Sequence, residues 1–268
     1  MLPGVVFLCL AFALPIVLMG IKSFTDPSAA NYSDFVNSRP YTHSLLYTLE
    51  IALLVTAVCA VVGYPWAYLI HRAGSITRAV LIALVLVPFW SSLLVRTYAW
   101  TILLRPSGVI NWVLMKLNLV DTPLTLVGNT FGVTVGMTQV LLPFMVLPTY
   151  AVMSRIDDDY LRAARGLGAK PRIVFSRIFF PLSRPGLLAG ALLVFVLSVG
   201  FYITPAVLGS AAHPMFSQLI VTQANALLKF GYASALAVIL LVVTVAAVFA
   251  GGRLVEIGQI LGYEESSE

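Results

Sequence analysis

Charge is what this sequence has least of. Only 10% of its 268 residues are charged while 60% are hydrophobic, whereas soluble domains carry roughly 25% charged residues. That scarcity excludes a fold bathed on all sides in water, which needs polar side chains to cover it. Cysteine is almost missing as well: Cys9 and Cys59 both fall in apolar runs, where they read as small packed hydrophobes rather than a disulfide. The three histidines, His43, His71 and His213, are scattered singly. With no H-E-x-x-H and no G-x-S-x-G beside them, an intramembrane enzyme is disfavoured. There is no G-x-x-x-x-G-K-[ST] loop, so this chain offers no phosphate cradle for ATP. Nor is a carboxylate evident in the middle of the apolar runs, where an ion-coupled secondary transporter keeps its coupling groups, Glu50 standing near the end of its run. The net charge of +5 does not point to nucleic acid, because the basic residues sit in short loops between apolar runs.

What the chain does have is apolar runs near the roughly 20 residues that cross a bilayer. They lie at about Val5 to Ile21, Leu45 to Ile70, Val80 to Leu104, Thr130 to Met153, Leu187 to Leu208 and Ser234 to Leu254. This predicts an all-α membrane protein of about six transmembrane helices, forming one domain over residues 1–268. The first run is read as a retained helix rather than a signal peptide, since no Lys or Arg precedes it and it exceeds a signal-peptide core. Placing the N-terminus inside puts ten Lys and Arg in the cytoplasmic segments, from Arg72 and Arg78 through the cluster Arg155 to Arg184 and on to Arg253. Five fall outside: Lys22, Arg39, Arg105, Lys116 and Lys229. The excess predicts both termini in the cytoplasm.

The longest cytoplasmic loop, residues 154–186, is also the most polar stretch. Two short helices are written in it. Asp157 suits an N-cap, Asp158 and Asp159 the positive end of the dipole, Arg162 and Arg165 the other end, and Gly168 a left-handed stop. Pro171 suits the first turn of a second helix and Pro181 is expected to limit it. Ile156, Tyr160, Leu161, Ala164 and Leu167 are spaced to form one apolar face.

Arg162-Ala163-Ala164, Gly168, Ile178 and Pro181 stand at the spacing of the EAA signature, and the loop resembles the coupling helix of binding-protein-dependent importer permeases. Arg162 replaces the usual Glu and Phe180 the usual Leu. Three further segments, Pro88 to Trp100, Leu141 to Pro148 and Thr204 to Gly209, are similar to those of spermidine/putrescine permeases, in particular the first of two related permease subunits. The resemblance implies a permease that binds no cofactor itself and works with a second permease, two ATPases carrying ATP and Mg, and a periplasmic or extracellular solute-binding protein. It also implies a bacterial inner membrane location and a polyamine or similar amine-containing or amino-acid-like solute.

Candidate path residues are Glu50, Trp90, Arg96, Tyr98, Trp100, Tyr202 and Thr204. Arg96 is the one fixed charge placed deep inside a span, where charges face a bundle interior or water, while Glu50 sits near the outer end of the second span. Trp90, Tyr98 and Trp100 offer rings to an ammonium group. The resemblance leads one to expect a carboxylate where Phe201 stands. Its absence, with Arg96 nearby, predicts a solute bearing an anionic group beside its amine. Pro143, Pro148 and Pro205 are expected to interrupt helices, and Gly132 and Gly136 form a G-x-x-x-G pair for close helix contact.

Overall fold

A bilayer offers the backbone no water to bond, so apolar runs of this length close their hydrogen bonds within helices. The structure, a computed structural model, describes residues 2–26 and 28–264, with side chains at 7, 10–26 and 28–252. Every regular element among them is helical. In chain order these are α1 (Leu2–Thr25), α2 (Ala30–Asn37), α3 (Arg39–Arg72), α4 (Ser75–Leu86), α5 (Leu93–Leu104), α6 (Val109–Lys116) and α7 (Thr130–Met153). Then come α8 (Asp158–Gly166), α9 (Pro171–Val174), α10 (Phe180–Val199), α11 (Ile203–Leu208), α12 (Phe216–Val221) and α13 (Phe230–Glu264). The side chains of Cys9 and Arg253 and the acidic end at 265–268 lie outside the described residues.

Four helices are long and apolar enough to cross a membrane: Arg39–Arg72, Thr130–Met153, Pro171–Val199 and Phe230–Gly252. Two bent pairs, Leu10–Thr25 with Ala30–Asn37 at 80° and Ser75–Trp90 with Leu93–Lys116 at 101°, raise the number to six if each pair is one span. The expected third span, Val80 to Leu104, is therefore not one straight helix. Pro88 has no N–H to give, α4 tightens into a 3₁₀ turn over Val87–Trp90, and Ser91 turns to an extended conformation after donating its own N–H back to Pro88 O at 3.2 Å.

The fifth span also differs from Leu187 to Leu208. Its helix begins at Pro171 and ends at Val199, and Gly200 closes it. Thr204 and Pro205 belong to the separate short α11, where Pro205 falls in the first turn and needs no intrahelical N–H. Pro181 does not limit the loop's second helix. A π turn over Phe175–Phe179 bridges α9 to α10, widening the helix where the proline ring would otherwise meet the carbonyl four residues back. Likewise α7 runs unbroken through Pro143 and Pro148, held between α3 and α10.

Side chains pack in three tiers. In the middle, Ile51, Val55 and Cys59 of α3 meet Val133, Met137, Leu141 and Met145 of α7 and Val194 of α10. Lipid tails are as apolar as these residues, so close contact rather than dehydration holds the tier together. Gly190 shows how close: a Cβ there would stand 2.9 Å from Met145 O. Below lies a second tier of Ile70, Val85, Val146, Met153, Leu161, Val174 and Phe179, around the loop that follows α7. Above lies a third, built on Phe35, Phe216 and Leu236. There Ser44 Oγ donates to Pro214 O at 2.7 Å and Phe216 N donates to Thr48 Oγ1 at 2.8 Å, tying α12 to α3. His43 and His213, isolated in sequence, are brought to a ring separation of 6.0 Å at this end.

Candidate functional site

The loop after α7 is rigidly written. Asp157 accepts a hydrogen bond from Asp159 N at 3.0 Å and caps α8, whose first turn carries Asp158 and Asp159 and whose last carries Arg165. At the other end Ala169 N donates to Ala164 O at 3.1 Å and Gly168 N to Arg165 O at 2.9 Å. This paired closure requires the left-handed backbone that Gly168 adopts at φ 81°. Arg162 Nη1 lies 3.8 Å from Asp159 Oδ1, both well exposed, an ion pair of little weight.

The expected apolar face of α8 divides in two. Leu161, only 5% exposed, packs with Ile156 and Ala164 against Ile70, Met153 and Phe179. Leu167 and Tyr160 instead stand 90% and 63% exposed, on the same outward surface as Arg162, Ala163 and Gly168. Ala164 and Ile178 border one cluster, and Pro181 begins α10 half-buried. The π turn sets Phe175 and Phe179 edge-on to Tyr68, at 5.4 and 5.2 Å. Tyr64 shares a 2.7 Å hydrogen bond with Ser183. The Phe175 and Phe179 rings pack against α3, and α9 continues as one helix through the π turn into α10.

The candidate path residues do not converge. Trp100 lines a groove of about 750 Å³ with Leu54, Val58, Thr134, Thr138 and Gln139, between α3, α5 and α7. Arg96 precedes Trp100 by one turn on the same side of α5, half-buried, with its Nε enclosed and without a hydrogen-bond partner. Thr204 is fully buried and shares a 3.3 Å hydrogen bond with Thr97 of α5. Trp90, Tyr98, Tyr202 and Glu50 are exposed, Trp90 by 79%, and none of them lines the groove. Gly136 of the G-x-x-x-G pair faces Thr204 and Leu208, whose side chains would stand 2.6 Å from an added Cβ. The pair thus seats α11 against α7.

Sequence reading missed two polar atoms enclosed behind the groove's apolar wall. Thr138 Oγ1 and Gln139 Oε1 are buried without partners, and a buried unpaired acceptor is costly in an apolar setting. The signal was present: Thr130, Thr134 and Thr138 repeat every four residues, one stripe of hydroxyls along an otherwise apolar helix.

The described residues thus form a helical membrane bundle with a capped loop at one end and an apolar groove beside Trp100 in its middle. The chain belongs to the family described as binding-protein-dependent transport system inner membrane component, whose sequence model matches residues 1–255. It is 37% identical over 183 residues to the spermidine/putrescine transport system permease protein PotB of Escherichia coli (strain K12), an alignment covering 68% of this chain and 66% of that protein. It is 29% identical over 178 residues to the putative 2-aminoethylphosphonate transport system permease protein PhnU of Salmonella choleraesuis (strain SC-B67), covering 61% of this chain and 57% of that one. The chain thus spans 66% and 57% of the length of these two relatives. In fold it is similar to a chain of a bacterial alginate ABC transporter crystallised with its alginate pentasaccharide-bound periplasmic protein. The TM-score is 0.73 at 16% identity, over 94% of this chain and 91% of that one.

Proposed function

We propose that this chain is one permease half of an ATP-driven importer in a bacterial inner membrane. It takes a small amine-bearing solute from a separate binding protein, with both termini in the cytoplasm. The observation that carries the reading is the exposed Leu167 and Tyr160 surface on a doubly capped helix. Apolar side chains held out to solvent on a capped helix suit a protein partner. Arg162, Ala163, Ala164, Gly168, Ile178 and Pro181 form or support that surface, which docks an ATPase. ATP and Mg belong to two such ATPases, and a second permease closes the path across the groove of Trp100, Thr138 and Gln139.

The solute carries an anionic group beside its amine. Arg96 lies one turn before Trp100 on α5 with its Nε enclosed and without a partner, no carboxylate is among the groove's lining residues, and a half-buried cation repels cationic solutes unless something neutralises it. The names of the relatives span both options, a polyamine on one side and an amine with a phosphonate on the other. The test is uptake by proteoliposomes holding this chain, its partner permease and the ATPases, driven by ATP and fed by the binding protein. Uptake is expected to need every component, and 2-aminoethylphosphonate should compete better than spermidine. Import by the chain alone without ATP would remove the importer reading, and tighter competition by spermidine would remove the anionic requirement.

A further inference from the structure

We propose that the end of the bundle opposite the coupling loop carries a metal site, made by His43 of α3 and His213 of the turn before α12, that takes a borderline divalent cation of the zinc kind. The two imidazoles come from distant parts of the chain, yet their ring centroids stand 6.0 Å apart. Zinc–nitrogen bonds of about 2.0–2.1 Å put the centroids of two imidazoles on one ion roughly 5 to 6.5 Å apart, from a tetrahedral to a linear angle. The rings therefore need only turn in place to share an ion. Both side chains are exposed, so an ion reaches them without opening the fold.

The backbone beside each imidazole is fixed. Ser44, next to His43, donates its hydroxyl to the carbonyl of Pro214, next to His213, at 2.7 Å. One turn further along α3, Thr48 Oγ1 accepts from Phe216 N at 2.8 Å. On the other side of His213, Ser210 closes a tight turn: its Oγ accepts from Ala212 N at 3.1 Å and its carbonyl from His213 N at 3.3 Å. Tyr47, one turn after His43, sets its own ring 6.0 Å from that of His213, and its hydroxyl shares a 3.1 Å hydrogen bond with Thr130. Ligands already held in place spare an incoming ion the cost of ordering them.

The donor set selects the ion. Imidazole nitrogen suits zinc, copper and nickel, whereas magnesium and calcium require sets of oxygen ligands. No three His, Cys, Asp or Glu side chains converge among the described residues, so water completes the coordination. The site thus differs from the closed four-ligand kind that holds a structural zinc, and its ion exchanges with the surroundings. Once bound, the ion pins α3 to the connection that leads into α12. None of the groove or coupling-loop residues takes part, so the site stands or falls independently of import.

The test uses the assembled transporter in lipid nanodiscs, purified without a polyhistidine tag and stripped with chelator, with zinc chloride as the probe and titration calorimetry as the readout. Zinc is expected to fill one site per copy of this chain. His43→Ala or His213→Ala should weaken that site at least about tenfold, since losing even an outer partner of a metal ligand costs about 10–100-fold. His71→Ala, at the far end of α3, should leave it unchanged, and excess magnesium chloride should not displace the zinc. Copper(II), which binds such nitrogen sites more tightly than zinc, should show two imidazole nitrogens by electron paramagnetic resonance in the unaltered protein and one in either variant. Tyr47→His brings a third imidazole beside the pair and should tighten zinc several-fold, a gain that misfolding cannot mimic. The proposal is overturned if the double variant His43→Ala with His213→Ala takes up zinc as before, if the copper signal reports fewer than two imidazole nitrogens in the unaltered protein, or if magnesium displaces the zinc.

Discussion

Gly168 is the residue on which the docking surface turns. Its φ of 81° is open to glycine but costs other residues about 1–2 kcal/mol, and a β-branched side chain suffers most. Gly168→Val is therefore expected to abolish ATP-driven uptake while the protein still inserts in the membrane, with Gly168→Ala milder. Uptake assays beside quantitative blots of the membrane fraction check this, and normal uptake by the valine variant would show that the closure is dispensable. Arg96 poses a different question, since its enclosed Nε has no partner in the chain. Replacing it by Gln removes the charge, while Lys keeps the charge and loses the planar fork. Arg96→Gln should weaken uptake of an amine that also bears an anion more than Arg96→Lys does. Equal uptake by the two variants, with assembly intact, would mean that Arg96 serves packing alone. That an arginine lies within a span was legible in the sequence; that it shares a side of α5 with a groove was not, because the groove is made by α3 and α7.

Among the elements, α8 was the most legible, because its signals are local. Asp157, the acidic first turn, the basic last turn and Gly168 lie within twelve residues and each acts on its neighbours' backbone. What was not legible is which apolar residues turn inward. Spacing put Leu161 and Leu167 on one face, and only packing against Ile70 and Phe179 separates them. That separation predicts opposite outcomes for two substitutions. Leu167→Asp should abolish binding of the ATPase, measured by co-purification, yet leave thermal stability nearly unchanged. Leu161→Ala should keep the outward surface but lower stability by about 2–5 kcal/mol, as other large-to-small core changes do. Equal stability loss in both would refute the two-faced reading. The break at Ser91 and the π turn at Phe175 escaped notice for a related reason: Pro88 and Pro181 announce that a helix is disturbed, while neighbouring helices decide how.

For the whole molecule, apolar run lengths and the spread of arginines were enough to reveal a membrane bundle with one long loop. They could not reveal how α7 sits between α3 and α10, because glycine contacts such as Gly190 on Met145 link residues distant in sequence. All three helices pack on one another, and the close approach at Gly190 predicts that Gly190→Leu separates α7 from α10. The variant should lose both solubility in mild detergent as a single species and ATP-driven uptake, read by size-exclusion chromatography and flux. A monodisperse, active variant would show that the two helices tolerate a wider spacing.

A nascent chain meets the break at Ser91 long before its partners exist. The half from Ser75 to Trp90 reaches roughly 24 Å at helical rise, short of the roughly 30 Å hydrocarbon core, and α5 is shorter still. Thr97 finds its hydroxyl partner only in Thr204, 107 residues later, which at ordinary rates of synthesis means a wait of roughly 5–20 seconds. Throughout that interval α5 lacks the seat that α11 gives it, although α4 already packs on α3, so the break at Ser91 is expected to stay open to attack. Chains stalled before Thr204 should be cut by protease near Ser91, and released full-length chains should resist.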